Sequence, residues 1–280
     1  MTTRAPVLIT GCSSGIGLAT ALACARAGWP VIAGIKSEAE AGGLPGALAA
    51  EPLGVETEVI DIAQEASVTA AFARIRARHP RLSALVNNAG ISVGGFFEDV
   101  ADDELKDCFE VNVFGTARVT RAALPLLRAG APSWVITVSS MAGRLGLPGL
   151  SAYHGAKHAL EGLFECLRYE LAPERIWVTL VEPGIIRTPI MQSGTRLARR
   201  FDSAESPHRA RSTRLWTGFR ERFERTAKPP ETVAAAILAL LGREHPPLRV
   251  PVGSDARVIL GLQKLLPERL FVRLWSRLAG

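Results

Sequence analysis

From Val7 to about residue 185 the chain alternates between two kinds of hydrophobic pattern. Short, near-continuous apolar and β-branched runs fall at Val7–Thr10, Val31–Ile35, Val55–Ile60, Leu82–Val86, Trp134–Ser139 and Val178–Val181. Between them, Ile16–Ala27, Gln64–Arg78, Asp103–Leu127 and Tyr153–Leu171 carry apolar residues at helical spacing. A strand that is apolar throughout is buried on both faces, and strands alternating with helices pair in parallel. The pattern predicts an α/β fold: a doubly wound parallel sheet with right-handed crossovers and helices on both faces.

The pattern breaks in three places. Ala39–Leu53, rich in Ala, Gly and Pro, reads as a loop. Ile190–Lys228 is Arg-rich with scattered aromatics (Phe201, Trp216, Phe219, Phe223) and reads as an insertion folded over something, a lid at about 190–228; a solvated surface and a site for anionic polymers are the alternatives for its Arg-rich run. After it come a helix at Pro229–Leu241, a last strand at Arg249–Val252 and an amphipathic tail helix at Leu265–Leu278. The expected organisation is a single domain over residues 1–280, with a helical tail from about 255. Packing of that tail on its own domain ranks ahead of a partner subunit, and a membrane surface comes third.

Charge and cysteine content narrow the function. Of the 280 residues 48 % are hydrophobic and 21 % charged, which supports a large core and argues against disorder. The net charge is +6, but Arg196–Arg225 holds nine Arg against four acids, so that segment alone supplies +5 of it. No domain-wide basic face follows, and a nucleic-acid partner is not expected. Cys12, Cys24, Cys108 and Cys166 form no CxxC pair and no Cys/His metal spacing, which reads as reduced thiols in a cytoplasmic protein. The expectation that Cys12 is sensitive to alkylation comes from its place in a turn. His154, His158 and His245 read as surface or helix residues. The N-terminus shows no signal-peptide pattern, and no run reaches the ~18 apolar residues of an integral membrane span.

Thr10-Gly11-Cys12-Ser13-Ser14-Gly15-Ile16-Gly17 follows the first strand and opens the first helix. Gly11 allows a tight turn, Gly15 lets backbone approach a diphosphate, and Gly17 lets helix and strand pack closely. The helix start then offers free N–H groups to phosphates, a Rossmann-like arrangement. The cofactor is chosen at the end of the second strand. An acid there would bind the ribose hydroxyls of NAD; Gly34-Ile35-Lys36-Ser37 has none, and Lys36 can neutralise a 2′-phosphate, with Glu38 two residues on. NADP (NADPH) is expected over NAD.

Tyr153 and Lys157 are four apart at the start of a helical segment, which puts both on one face. A free Tyr, with a pKa near ~10, is a poor base, and a nearby ammonium favours its phenolate. Ser140 follows the strand Trp134–Ser139, at the carboxyl edge where open α/β sheets bind ligands. It precedes Tyr153 across a Gly/Pro-rich loop, so its hydroxyl could hold a substrate oxygen beside the Tyr hydroxyl. Asn87-Asn88-Ala89-Gly90 ends the fourth strand on the same edge. Asn112 sits inside the following helix, where Asn is locally unfavourable.

These motifs, with Pro183-Gly184 after the strand Val178–Val181, resemble those of the short-chain dehydrogenase/reductase family. The resemblance runs from residue 7 to about 190. Retinoid, hydroxysteroid and other lipophilic-alcohol members are the most similar around Ser139–Lys157. It implies that Tyr153 is the acid/base, that Ser140 orients the carbonyl or hydroxyl, and that Lys157 lowers the Tyr pKa and binds the nicotinamide ribose. It implies that Asn112 supports a water-mediated proton relay. Gly11, Ser13, Ser14, Gly15, Ile16, Gly17, Lys36, Asp61, Ile62, Asn87, Ala89, Gly90, Pro183, Gly184, Ile186 and Thr188 would surround the cofactor. Of these, Asp61 would lie near the adenine, Asn87 near the ribose, and Ile186 and Thr188 near the carboxamide. A homodimer or homotetramer through Asp103–Leu127 and Tyr153–Leu171 is implied as well. One departure is Gly155, in place of the Ser often found there, at a cost of about 1 kcal/mol inside a helix.

The family's substrate pocket would be formed here by Leu145, Leu147, Pro148, Leu150, Ile185, Ile190 and Met191, with Leu147 and Met191 beside Ser140 and Tyr153. An apolar pocket implies a small-molecule substrate, a bulky hydrophobic alcohol or ketone. The alternatives are a catalytically idle dinucleotide-binding regulator and a sugar epimerase or dehydratase of the extended relatives. Intact Ser140, Tyr153, Lys157 and Asn112 speak against the first, and the short stretch after Pro183 against the second.

Overall fold

The computed structural model describes residues 4–51, 53–192 and 195–279. Its strands are β1 (Val7–Thr10), β2 (Val31–Ile35), β3 (Glu56–Val59), β4 (Ala84–Asn87), β5 (Ser92–Gly94), β6 (Ser133–Val138), β7 (Ile176–Pro183), β8 (Thr195–Leu197) and β9 (Arg249–Val252). Its helices are α1 (Gly15–Arg26), α2 (Leu44–Ala50), α3 (Glu65–Arg78), α4 (Asp102–Phe109), α5 (Thr116–Ala129), α6 (Ser151–Leu171), α7 (Pro189–Gln192), α8 (Arg209–Thr226), α9 (Glu231–Leu238), α10 (Ser254–Leu265) and α11 (Glu268–Ala279). Seven strands form one parallel sheet in the order β3-β2-β1-β4-β6-β7-β9. The expected Rossmann-like fold is therefore present.

Alternation within β1 divides the core in two. Val7 and Ile9 point to one face, where Ala21 and Cys24 of α1 and Val233 and Ile237 of α9 cover them. Leu8 points to the other face and meets Phe72 and Ile75 of α3, Val119 of α5, and Leu160 and Phe164 of α6. The chain crosses to opposite faces on either side of β1 and β4. The loops that follow their carboxyl ends therefore part, and the crevice between those loops is where such sheets bind ligands.

Three elements depart from the pattern read in the sequence. Ala39–Leu53 holds the helix α2: Pro45 falls in its first turn, where its missing N–H costs nothing, and Leu44 is buried against the α1 side of the core. Tertiary burial overrides the composition there. Asp103–Leu127 is divided by a π-helical stretch, Glu110–Gly115, whose Gly115 is so close to Ile62 that a Cβ would lie 2.8 Å from its carbonyl oxygen. The tail is two helices, because Leu266, ahead of Pro267, is forced into extended backbone and ends α10.

The Arg-rich insertion folds back over the carboxyl edge. β8 pairs in parallel with β5, and Trp216 and Phe219 of α8 stack with centroids 5.6 Å apart. Arg199 donates to Asp103 at 2.8 and 2.5 Å, and Ser206 donates to Asp99 at 2.7 Å. No described helix is long and apolar enough to cross a membrane.

Candidate active site

The site is built where the loops after β1 and β4 part. Gly11 (φ +72°) and Gly15 (φ +56°) take the left-handed backbone that side chains resist. A Cβ on Gly11 would come within 2.9 Å of the Ala89 Cα; one on Gly17 would come within 2.1 Å of the Gly11 carbonyl oxygen. Gly11 and Gly15 thus keep the loop open, while Gly17 lets α1 press against it. Ser14 precedes α1 in extended backbone; no side chain caps the helix and no acid sits in its first turn. Its amides are left to a bound anion, and the cradle fits a dinucleotide diphosphate.

Asn88 is the residue that the sequence did not single out. Its Nδ2 donates to the carbonyls of Thr10 (2.9 Å) and Gly11 (3.1 Å). The Thr10 hydroxyl accepts from the amides of Asn88 (3.0 Å) and Ala89 (3.1 Å). These bonds lace the glycine turn to β4. Asn87, expected beside the cofactor ribose, points the other way. It is buried and donates to Thr120 (2.9 Å) and Thr137 (3.2 Å), off the cavity wall. The reason is the twofold alternation of a strand, which lets only one of two adjacent Asn face the crevice.

A cavity of about 620 Å³ runs from this turn across the sheet edge. Gly11, Ser13, Ser14, Gly15, Ile16 and Lys36 line one end, with Asp61 and Ile62. Ala89, Gly90, Asn112, Pro183, Gly184, Ile186 and Thr188 line the middle, and Ser140, Leu147, Tyr153 and Lys157 the far wall. Gly17 lies behind the wall, and the Met191 side chain is outside the described residues. Leu150, Ile185 and Ile190 join the lining, whereas Leu145 is core and Pro148 faces a separate cleft under α11. Arg196 and Phe219 of the Arg-rich insertion also reach the wall. At the opposite end Lys36 is exposed and paired with Glu40 at 3.1 Å.

Ser140, Tyr153 and Lys157 converge because β6 ends beside the start of α6. Ser140 begins a short turn, its Oγ accepting from the Ala142 amide at 3.1 Å. Burial pushes the Tyr153 phenol up to about 12, with Ser140 lowering it and Cys108 raising it. Burial pushes the Lys157 ammonium down to about 8, against the pull of Cys108 and Glu161. Lys157 Nζ donates to the Val138 carbonyl at 2.9 Å and stands 5.7 Å from the Tyr153 ring centroid. Burial is the largest influence on the Tyr153 phenol, and the lowering comes from its hydrogen bond with Ser140.

Asn112 lies in the π-helical stretch. Its Nδ2 donates to the carbonyls of Cys108 (2.8 Å) and Ile91 (2.9 Å), and its Oδ1 accepts from the Ile91 amide (3.2 Å). The Asn that is unfavourable in a regular helix fits here, with its side chain on the helix's own Cys108 carbonyl. Gly155 faces the Phe109 ring of α4, where a Cβ would sit at 3.4 Å, an ordinary contact distance, so packing does not require the glycine.

His154 lies on α6, one of the two places read for it, whereas Cys12 departs from its reading. His154 is buried and hydrogen-bonded to the Leu145 carbonyl, and burial lowers its pKa. It ties the loop after Ser140 to α6. Cys12 is also buried, its thiol donating to the Ile9 carbonyl, and burial pushes its pKa well up. It is no alkylation target, because a thiolate is the reactive form. Of the four Cys only Cys166 is exposed. A thiol reagent is expected to label Cys166 alone in the native protein and all four after denaturation. Rapid native labelling of Cys12, read by peptide mass, would contradict this.

Residues 5–197 match the family model described as "short chain dehydrogenase". Retinol dehydrogenase 8 of Bos taurus is 31 % identical over 279 residues, 95 % of this chain and 88 % of its own. A short-chain dehydrogenase structure from Streptomyces avermitilis superposes with a TM-score of 0.81 at 34 % identity, covering 99 % of this chain and 98 % of that one. One from Burkholderia cenocepacia J2315, in complex with NADP, gives 0.74 at 25 % identity and covers 97 % of each chain. The chain belongs to the short-chain dehydrogenase/reductase family. It is an oxidoreductase of the kind that acts on CH–OH groups, in a fold whose solved neighbours carry NAD(P) nucleotides.

Proposed function

We propose that the protein is an NADP(H)-dependent reductase or dehydrogenase that interconverts a bulky hydrophobic alcohol and its carbonyl compound, with Tyr153 as the proton donor and acceptor. The observation that carries this reading is one continuous cavity with the open glycine turn at one end and Ser140, Tyr153 and Lys157 at the other. When bound there, the reduced nicotinamide supplies hydride to the carbonyl carbon. Ser140 holds the carbonyl oxygen. Tyr153, kept protonated by burial, gives its phenolic proton to that oxygen. Lys157, held by the Val138 carbonyl, fixes the nicotinamide ribose and carries positive charge below about pH 8. Asn112, with its side chain turned on Ile91 and Cys108, keeps the π-helical stretch in shape beside Lys157 for a water-borne proton relay.

Leu147, Leu150, Ile185 and Ile190 give the substrate end its apolar character, and retinol dehydrogenase 8 is a relative named for a lipophilic alcohol. Reduction of a panel of bulky apolar ketones, followed by NADPH absorbance, tests the reading; a panel limited to small polar carbonyls being turned over instead would overturn the substrate class. Association of two copies through α4, α5 and α6 belongs to the same proposal; Phe114, in the π-helical stretch between α4 and α5, and Tyr169 on α6 stand exposed.

The NADP(H) preference rests on Lys36 at the adenine-ribose end and on the absence of an acid at the tip of β2. Lys36 must release Glu40 to meet a 2′-phosphate. Lys36→Ala is expected to raise KM for NADPH about tenfold, the effect of losing one charge-assisted hydrogen bond, and to leave KM for NADH unchanged. A wild-type enzyme that favours NADH would overturn the assignment.

A further inference from the structure

Six of the ten exposed large apolar side chains among the described residues lie on α10 and α11: Val258, Leu262, Leu265, Leu270, Val272 and Leu274, between 39 % and 81 % exposed. On α10 the spacing of Val258, Leu262 and Leu265 makes one stripe, while Ala256 and Leu260 bury the opposite face. On α11 the inward face is already used. Phe271 is buried, and the Trp275 indole N–H donates to the Gly146 carbonyl at 2.8 Å. The outward apolar residues are therefore left over after the tail has packed on its own domain.

Cations accompany them. Arg257, Lys264, Arg269 and Arg273 are exposed on the same two helices, against one outward acid, Glu268. Asp255 is turned inward, where it accepts from the Ile185 amide at 2.7 Å. Apolar residues interleaved with Lys and Arg on short helices are the composition of an in-plane interfacial segment, with the stems of the cations alongside the apolar groups and their heads outward.

We propose that α10 and α11 form a peripheral docking surface for an anionic lipid bilayer. The apolar stripe enters the headgroup region, and the four cations lie at the level of the lipid phosphates. Charge decides against a second copy as the occupant: an isologous contact through this face would set the cations of one chain against the same cations of the other. The face also lies next to the substrate end of the cavity. Gln263 of α10 donates to the Arg144 carbonyl at 2.6 Å and Trp275 donates to that of Gly146, and both belong to the loop that brings Leu147 to the cavity wall. A bilayer held there would present lipid-dissolved molecules beside the cavity, a consequence that rests on the substrate class proposed above; the docking itself does not.

The test is co-sedimentation of the full chain with vesicles. Phosphatidylglycerol/phosphatidylcholine vesicles are expected to carry the protein down, and pure phosphatidylcholine vesicles to leave most of it in solution. Arg269→Gln with Arg273→Gln should weaken binding on the order of 25-fold, about fivefold per cation, and added salt should do the same. Leu262→Ser with Leu265→Ser should abolish sedimentation without changing turnover of a water-soluble ketone. Wild-type protein that stays in solution with anionic vesicles overturns the proposal, as does equal binding by the Leu262→Ser/Leu265→Ser variant. A wild-type oligomer that this variant dissociates, with no vesicle binding, would assign the face to self-association instead. Absence of ketone turnover would fail the enzymatic reading and leave the vesicle result intact.

Discussion

Tyr153→Phe is expected to lower kcat on the order of 10³-fold and to leave the dissociation constant for NADPH within about threefold, because proton transfer by a positioned side chain contributes about 10²–10⁴-fold. The substitution removes one oxygen from the cavity wall. The glycine turn, Asp61 and the Lys157–Val138 hydrogen bond are untouched, so the cofactor should bind as before. Turnover and cofactor fluorescence titration separate the two effects. Retained turnover would remove Tyr153 from the reaction; lost cofactor affinity would make it a binding residue instead.

The second large effect is structural. Beneath Lys157, Arg249 donates to Glu161 at 2.8 Å and to Glu165 at 2.7 Å, and lies 3.7 Å from Glu182. Glu161 and Glu182 are buried, and Arg144 is the other cation on Glu182, at 3.2 Å. Arg249→Leu leaves two buried carboxylates short of a partner, and is expected to cost about 3 kcal/mol of stability at neutral pH. The loss should depend on pH. Burial, and then Glu161, raise the Glu182 pKa in the folded state above its unfolded value. The folded form therefore takes up a proton at a pH where the unfolded chain has not. Its stability falls as pH rises through that window and is relieved as pH drops back. Removing Arg249 raises the Glu182 pKa further, so the deficit should be largest above the carboxylate range and shrink on acidification. Urea unfolding at neutral and mildly acidic pH measures this. Glu182→Gln in the Arg249→Leu background should recover part of the loss, and equal deficits at both pH values would show that Glu182 does not carry the effect.

Much of the site was legible because its signals are local. The glycine turn, Lys36, Ser140 and the Tyr153–Lys157 spacing each lie within a few residues of a strand end or helix start, and position along a strand or helix fixes where such residues emerge. Asn87 and Asn88 mark the limit. They are neighbours in sequence, and only the register of β4 against β1 decides that Asn88 holds the turn while Asn87 turns into the interior. His154 read as a surface or helix residue, because nothing local says that it will be buried with the Leu145 carbonyl against its ring.

By itself the sequence determined the parallel sheet, the crossovers and the edge at which the chemistry gathers, since each follows from the period and order of apolar residues. The division of Asp103–Leu127 by a π-helical stretch, the helix α2 in a segment of loop composition, and the Arg249–Glu161–Glu182 cluster were decided by tertiary structure. So was the placing of Arg196 and Phe219 on the cavity wall and of Asp255 under Ile185. These depend on contacts between residues distant in the chain, and their energies come from burial and from the pairing of buried charges, which no periodicity along the sequence records.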